Sequence, residues 1–521
     1  MQPSSASSKI VHNSIWYGLE TGLELLVYVG TSIAVARCLG PEKLGHYAAV
    51  SFPLAMINTT AGNGLATATR KYMTEFLGAN RPDLARSVYE FTFKYQWLGA
   101  SVVSALAIAI VVSIMPHGYK VMAALLALSI LPSMMTNVPA QANLAFEDAS
   151  KNTLSAFGYL GSYTAIVIAS LILHWDLVGI ASAMLVGRTL EVALRIPPVR
   201  KQLSAIAPAT LPPELKSRIR RFCLQAVGVQ VLTSIVWDKS ELIVLAAFSS
   251  AKQIAYYSIS AGLVANLLTA PRVFSTGIGV SLMAEAGRGT KKVASIVFHG
   301  VRFLGLIVLP IYLGAAAITK QAIWTAYGTR YMPAVSVMLV AVLFGIPRSF
   351  LDIPSVLMRA ADRQNAILRC MILTAAFNIA LDLLLIPRFG ALGAAYGNGI
   401  SQTLGIVLFW FAARKIYSFQ FPFQALSRLA IAALGMATVA LLIARTFKPA
   451  VGLGVALLVA PLVYMLLLRI LRALELSDLD RLLLLASKLP RAARPLSSRV
   501  LQFVVPRHAS STHALSQASA G

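Results

Sequence analysis

Three charged side chains stand close together in an otherwise apolar stretch from about residue 222 to residue 248. They are Asp238, Lys239 and Glu241. A stretch of this length can cross a bilayer, and one Asp, Lys or Arg at a helix centre costs about 2.5 to 3.5 kcal/mol on insertion scales. Such charges persist where they face partners or a water-filled cavity. The stretch therefore predicts the wall of a polar passage through a membrane protein.

Other charges lie within predicted spans. Glu20 and Glu24 are four residues apart, as are Arg348 and Asp352, so each pair has the spacing of one helix face. Paired or interfacial side chains can lock helices together without touching a ligand, and that explanation stays open for each of them. For Arg272 and the Asp238–Lys239 pair, which lie deeper in their spans, a role in a cavity is favoured.

A cavity lined by Arg and Lys prefers an anion, and Arg can hold a phosphate through two parallel hydrogen bonds. Phosphate-bearing lipids are the membrane substrates that suit this charge. The candidate substrate-binding residues are Arg272, Lys239, Arg70 and Arg348. Acidic residues would carry a coupling proton or balance those cations; the candidates are Glu24, Asp238, Glu20, Asp352 and Asp382.

The sequence shows no catalytic or metal-binding pattern. It has no Walker motif, and the three cysteines, Cys38, Cys223 and Cys370, fit neither a metal spacing nor a disulfide framework. The predicted outer loops are short, the longest running roughly from residue 318 to residue 332, whereas a membrane-embedded polymerase or ligase needs a larger one. We therefore expect a transporter and not an enzyme, with no cofactor and no metal.

The composition indicates which elements position these residues. The 521 residues are 57% hydrophobic and only 12% charged, with a mean hydropathy of +0.72, which predicts an all-α polytopic membrane protein. The net charge of +25 does not indicate nucleic-acid binding, because the basic residues gather in alternate loops and in the C-terminal tail. By the positive-inside rule, both termini are cytoplasmic.

Apolar runs of about 20 residues predict fourteen spans. They form two six-helix lobes and a final pair: 12–37, 46–69, 88–114, 119–143, 153–174, 177–197, 222–247, 254–283, 293–317, 333–358, 366–386, 390–413, 424–444 and 450–470.

The predicted domains follow this pattern, and a faint internal repeat that pairs Tyr47 with Tyr257 and Glu75 with Glu285 supports the division into halves. They are an N-terminal lobe (1–197), a basic cytoplasmic linker (198–221), a second lobe (222–417), a helix pair (418–472), and a cytoplasmic amphipathic helix with a disordered tail (473–521).

Four segments contain recognisable motifs. Residues 39–47 contain Leu-Gly-Pro in a loop after the first span, and residues 64–70 form a Gly-rich helix end with Arg70. Trp237-Asp238-Lys239 is an Asp-Lys element of the seventh span, and residues 378–395 cover the end of the eleventh span and the start of the twelfth. These segments, residues 378–395 most closely, resemble the Wzx-like polysaccharide flippases of the multidrug/oligosaccharidyl-lipid/polysaccharide (MOP) exporter superfamily. Asp382 stands where that family more often has Asn.

This resemblance implies the V-shaped exporter fold and alternating access through a cationic central cavity. It also implies that undecaprenyl-diphosphate-linked oligosaccharide is flipped from the cytoplasmic to the periplasmic leaflet of a bacterial inner membrane, for O-antigen, capsule or exopolysaccharide synthesis. Membrane lipids, a polysaccharide polymerase and a chain-length regulator are the expected partners. A lipid II flippase, although an arginine-rich first span is missing, and a multidrug exporter of the same fold are the alternatives.

Overall fold

A computed structural model describes residues 3–237, 240–286 and 292–474 of the chain. Asp238 and Lys239 lie outside the described residues, as does the predicted C-terminal amphipathic helix and tail from residue 475 onward. Every regular element within these ranges is a helix. The all-α prediction is therefore confirmed for them.

The described helices are α1 Pro3–Gly78, α2 Pro82–Ile114, α3 Lys120–Leu128, α4 Ile130–Met135, α5 Asn137–Ala145, α6 Ser150–Ile172, α7 Asp176–Ser204, α8 Pro213–Trp237, α9 Glu241–Phe248, α10 Ala251–Leu267, α11 Thr269–Ala286, α12 Lys292–Tyr327, α13 Ala334–Arg348, α14 Asp352–Ala360, α15 Gln364–Arg414, α16 Phe423–Thr446 and α17 Pro449–Ile470. Short 3-10 turns at His117–Tyr119 and Thr329–Tyr331 precede α3 and α13.

Two helices are interrupted at a glycine near their middle. The 76 residues of α1 would extend about 114 Å as one straight helix, far more than the roughly 30 Å of a hydrocarbon core. Gly40 (φ 78°, ψ 173°) interrupts α1, and Gly390 (φ 55°, ψ −130°) interrupts α15. Both backbone conformations favour glycine because a Cβ would be strained there. Each long helix therefore consists of two consecutive segments.

Ten helical segments of the described residues are long and apolar enough to cross a membrane, or eleven if the bent pair α10–α11 is one span. In this count the two glycine-interrupted helices each appear once. The chain is therefore a multi-pass helical protein, as the composition predicts. The total of fourteen spans stays a prediction.

The helices pack into two compact units. The first comprises the described residues of Met1–Ile259 and Thr374–Asn398, and the second those of Ser260–Leu373 and Gly399–Gly521. The lobe boundaries drawn from the sequence stay a prediction.

The predicted linker region is folded onto the first unit. Helix α7 continues to Ser204, and α8 begins at Pro213. Between them the chain is fixed to α2, since the Arg86 guanidinium donates to the carbonyl of Leu203 at 3.2 Å and Ser87 Oγ donates to the carbonyl of Ala209 at 2.6 Å. Three buried apolar side chains of this region complete a hydrophobic core with α1 and α2; they are Leu203, Leu211 and Ile219.

The start of α10 contacts both kinked helices within the first unit. A Cβ on Gly45 of α1 would overlap the backbone of Ala251. At the other kink, the side chain of Gln253 accepts a hydrogen bond from the backbone N–H of Ala391 at 3.0 Å, and a Cβ on Gly390 would lie 2.9 Å from Gln253 Oε1. Glycine is therefore required at Gly390 by both its φ angle and this contact.

We expect Gly390→Ala to destabilise the protein by about 1 to 3 kcal/mol, the usual cost of a residue held in a sparsely populated backbone conformation. The matched control is Gly99→Ala in α2, where an added Cβ meets nothing within 4 Å and helix propensity favours alanine by roughly 0.5 to 1 kcal/mol. Thermal unfolding of the purified protein in detergent would measure both. Equal midpoints for the two variants would contradict this account of Gly390.

Candidate functional site

The first cluster of intramembrane charges, the arginine–glutamate cluster, consists of Glu20, Glu24, Arg188, Glu191 and Arg195. Its centre is the buried carboxylate of Glu191 on α7. Glu191 Oε2 accepts a hydrogen bond from Arg188 Nη1 at 2.7 Å, and Oε1 lies 2.8 Å from Arg195 Nη2. The spacings of three and four residues place all three side chains on one face of the helix. One carboxylate thus bridges two guanidinium groups.

Two further carboxylates of α1 complete this cluster. Glu20 Oε2 accepts a hydrogen bond at 3.1 Å from the Thr153 hydroxyl on α6, and Arg195 acts electrostatically on it. The positive charges of Arg188 and Arg195 both attract the carboxylate of Glu24. Three carboxylates and two guanidinium groups leave one negative charge in excess when all are ionised. A single bound proton therefore makes the cluster neutral.

Arg188 is held by aromatic side chains as well as by Glu191. Its guanidinium carbon lies 3.9 Å from the centre of the Tyr159 ring, and Nη2 lies 3.5 Å from the hydroxyl oxygen of Tyr28. The Tyr28 hydroxyl in turn donates to the Tyr159 hydroxyl oxygen at 3.3 Å. A cation over an aromatic face is stabilised by about 0.5 to 2 kcal/mol, and more when it is less exposed. These contacts fix the guanidinium beside the carboxylates.

The second cluster, the carboxylate–asparagine cluster, consists of Glu241, Tyr257, Asn378, Asp382 and Asn398. Glu241 at the start of α9 is fully buried. Its Oε2 accepts a hydrogen bond from the Tyr257 hydroxyl at 2.9 Å, and its Oε1 accepts from the side-chain amides of Asn378, at 3.5 Å, and Asn398. These three donors are neutral, so they orient the carboxylate without cancelling its charge.

Asp382 adds a second buried carboxylate beside Glu241. It is 1% exposed, and the two acidic groups repel each other electrostatically. Within the described residues, Asp382 Oδ1 and Asn378 Oδ1 are buried acceptors without a hydrogen-bond donor. A Cβ on Gly397 would lie 2.7 Å from Asp382 Oδ1, so glycine leaves space beside this oxygen. Two adjacent carboxylates and an amide oxygen suit a proton or a monovalent cation.

The third cluster, the Arg272 cluster, consists of Arg272, Arg348, Asp352 and Arg359 and lies in the second unit. Arg272 on α11 is exposed. Arg348 ends α13 and Asp352 begins α14, so this pair does not lie on one continuous helix. The positive charges of Arg272, Arg359 and Arg348 all attract the carboxylate of Asp352, which also forms a side-chain hydrogen bond with Ser275. Three arginines around one carboxylate leave a net positive charge, which attracts an anion.

The predicted site residues are therefore distributed over several places. The structure brings Arg272, Arg348 and Asp352 together in the second unit, and Glu20 and Glu24 together in the first. Arg70 is an exposed residue of α1.

Sequence reasoning missed several members of these clusters. Glu191 and Arg195 were detectable from their spacing after Arg188, which repeats at helical intervals along one face. Asn398 carries no such signal, because a lone Asn in a Gly-rich helix is common. Its partner Glu241 is distant in sequence, and only folding brings the two together.

Comparison with models of known protein families shows which family the chain belongs to. Residues 34–336, more than half of the sequence, match the model of a family described as polysaccharide biosynthesis protein. The chain belongs to this family. The resemblance found in the sequence motifs is thereby confirmed. A comparison with curated proteins finds no match to the sequence.

Solved structures similar to this family member share its fold. A lipid II flippase, MurJ, in an inward closed conformation matches with a TM-score of 0.71 at 13% identity, covering 88% of this chain and 98% of that one. An inward-facing multidrug resistance MATE transporter matches with a TM-score of 0.64 at 15% identity, covering 77% and 95%. A MOP transporter from Pyrococcus furiosus matches at 0.57 and 15%, covering 80% and 96%. The predicted exporter fold class is thus confirmed.

We expect Glu191→Gln to destabilise the first unit by about 3 to 5 kcal/mol, because the buried Arg195 and the partly buried Arg188 would lose the carboxylate that bridges them. Asp83→Asn is the control, since its ion pair with Arg81 is largely exposed and such pairs contribute about 0 to 1 kcal/mol. Thermal unfolding and the amount of protein in the membrane are the measurements. A Glu191 variant as stable as the Asp83 variant would show that the bridge is not structural.

Proposed function

We propose that the protein flips undecaprenyl-diphosphate-linked oligosaccharide units from the cytoplasmic to the periplasmic leaflet of a bacterial inner membrane. Membership in the polysaccharide biosynthesis family carries this proposal. The multi-pass fold and its likeness to transporters support alternating access as the mechanism. In this proposal both termini are cytoplasmic, and a polymerase and a chain-length regulator use the flipped product.

The Arg272 cluster supports an anionic substrate. Arg272 is exposed, and Arg348 and Arg359 add positive charge around the single carboxylate of Asp352. Guanidinium groups match the geometry of phosphate oxygens and pair with two of them at once. A diphosphate would be attracted here by charge, while Asp352 keeps the arginines oriented when no substrate is bound. Arg70 and Lys239 remain candidates for further contacts.

The two acidic clusters of the first unit support coupling to a cation. One proton would neutralise the arginine–glutamate cluster, in which Glu20 and Glu24 are the carboxylates outside the Arg–Glu–Arg bridge. In the carboxylate–asparagine cluster, Glu241 and Asp382 would share a proton or a monovalent cation, because two adjacent buried carboxylates do not both ionise without one. Either event removes charge from the first unit and biases its conformation.

A lipid II flippase is the second candidate, and the structural match to MurJ favours it. Both candidates carry a diphosphate-linked lipid, so the Arg272 cluster does not separate them. A multidrug exporter, supported by the MATE match, would be expected to take cationic substrates. The net positive charge around Asp352 disfavours that substrate class.

Deletion of the gene followed by lipid analysis tests the proposal. We expect lipid-linked repeat units to accumulate on the cytoplasmic leaflet and surface polysaccharide to be lost. The wild-type gene should reverse both changes. Arg272→Ala, at normal protein levels, should restore less than about a tenth of the surface polysaccharide, because a charge-assisted contact contributes about 1.5 to 3 kcal/mol. Arg81→Ala, at an exposed ion pair in a loop, should reverse both changes fully.

Three results would contradict this assignment. Unchanged polysaccharide together with drug sensitivity in the deletion strain would indicate the multidrug exporter. Rescue of a strain depleted of its lipid II flippase would indicate the second candidate. Full restoration by Arg272→Ala would show that substrate binding does not require Arg272.

For coupling, Glu241→Gln should impair transport without lowering stability. Glutamine keeps the shape of the side chain and an acceptor for the two asparagines, and it removes one of two adjacent negative charges. We therefore expect an unfolding midpoint equal to or above the wild type, and loss of gradient-driven flipping in proteoliposomes. Glu90→Gln on α2, at a half-exposed ion pair with Arg86, is the matched control. Normal gradient dependence of the Glu241 variant would place coupling in the arginine–glutamate cluster.

A further inference from the structure

A cavity of about 710 Å³ opens in the second unit, apart from the three charge clusters. One wall is the first two turns of α12, with Phe298 and His299. The opposite wall is the end of α15 and the segment that follows it, with Arg414, Tyr417 and Phe419. The cavity thus lies at the ends of two membrane-spanning helices, on the side that the charge pattern predicts to be cytoplasmic.

The polar groups of this cavity suit a singly charged anion. Arg414 contributes a guanidinium group, and His299, Tyr417 and Ser418 contribute further hydrogen-bonding atoms. The described lining residues include no carboxylate. One arginine matches the single negative charge of a phosphodiester, whereas a diphosphate with more charge is better matched by several arginines. Neighbouring hydroxyl groups can bond to the hydroxyls of a glycerol headgroup.

The surroundings of the cavity indicate that its ligand comes from the bilayer. Phe411 is 61% exposed and Phe423 is 74% exposed, and Trp410 packs edge-on against Phe419 with ring centres 5.6 Å apart. Exposed aromatic rings beside basic residues are typical of the membrane–water interface. Basic pockets between spanning helices at this depth bind anionic lipid headgroups.

We propose that this cavity is a binding site for the phosphodiester headgroup of an anionic phospholipid of the phosphatidylglycerol type. Arg414 contacts the phosphate, the hydroxyl groups contact the glycerol, and the acyl chains leave along the exposed aromatic side chains. The bound lipid joins α12 to the end of α15. The site is separate from the transport site, and the proposal does not depend on which substrate is flipped.

Lipid titration of the purified full-length protein, followed by native mass spectrometry, tests the site. The probes are phosphatidylglycerol, zwitterionic phosphatidylcholine, glycerol phosphate and inorganic phosphate. We expect phosphatidylglycerol to bind about tenfold more tightly than phosphatidylcholine, and the two soluble phosphates to show no binding at the same concentration. Soluble phosphate binding as tight as lipid binding would show a free-anion site and overturn the proposal.

Three variants locate the binding. Arg414→Gln should weaken phosphatidylglycerol binding about tenfold, the effect of losing one charge-assisted hydrogen bond. Lys415→Gln removes the same charge from the adjacent residue, which does not line the cavity, and should have no effect. Ser418→Glu places a carboxylate in the cavity at an exposed position and should also weaken binding, which gives a second test if the Arg414 variant folds poorly.

Two results would contradict the site. Equal losses in the Arg414 and Lys415 variants would indicate general surface attraction. Tighter binding of undecaprenyl diphosphate than of phosphatidylglycerol, lost in Arg414→Gln, would assign the cavity to the transported lipid. Transport assays are not needed for either comparison, so a failure here is distinguishable from a failure of the flippase proposal.

Discussion

The bridge of Glu191 between Arg188 and Arg195 shows the constraint on which this structure depends: an ionised group within a membrane span requires a partner of opposite charge or a wet environment. On α7 the partners are built into one helix face, and Glu20 and Glu24 of α1 extend the network to a second helix. This network ties the helices of the first unit together. The network also has one negative charge in excess. Because one proton would neutralise that charge, a network that stabilises the fold is also suited to proton coupling.

Helix breaks position these groups. Gly40 and Gly390 interrupt the two longest helices, and the start of α10 packs beside both kinked helices through Ala251 and Gln253. Glu241 and Tyr257 lie on the short helices on either side of the Ser249 break, which allows the tyrosine to donate to the carboxylate. Along one straight, continuous helix, 16 residues would separate Glu241 from Tyr257 by about 24 Å, so this hydrogen bond requires the break.

The two units differ in the sign of their clustered charge among the described residues. The two clusters of the first unit hold more carboxylates than guanidinium groups. In the second unit, the Arg272 cluster and the cavity that Arg414 lines are basic. Acidic clusters exchange protons or cations, and basic clusters attract phosphate. The proposed transport cycle therefore assigns coupling to the first unit and phosphate recognition to the second.

The sequence by itself determined the all-helical membrane fold, the family and the charges that need an explanation, because hydropathy, charge placement and short motifs are local properties of the chain. It also placed Glu20 beside Glu24 and identified Arg272, since helical spacing and depth in a span are readable from residue order. Only the tertiary structure decided the partners. Glu241 bonds to Asn378 and Asn398, and Arg272 acts on Asp352; these groups are distant in sequence, and their approach depends on how helices pack and where glycines break them.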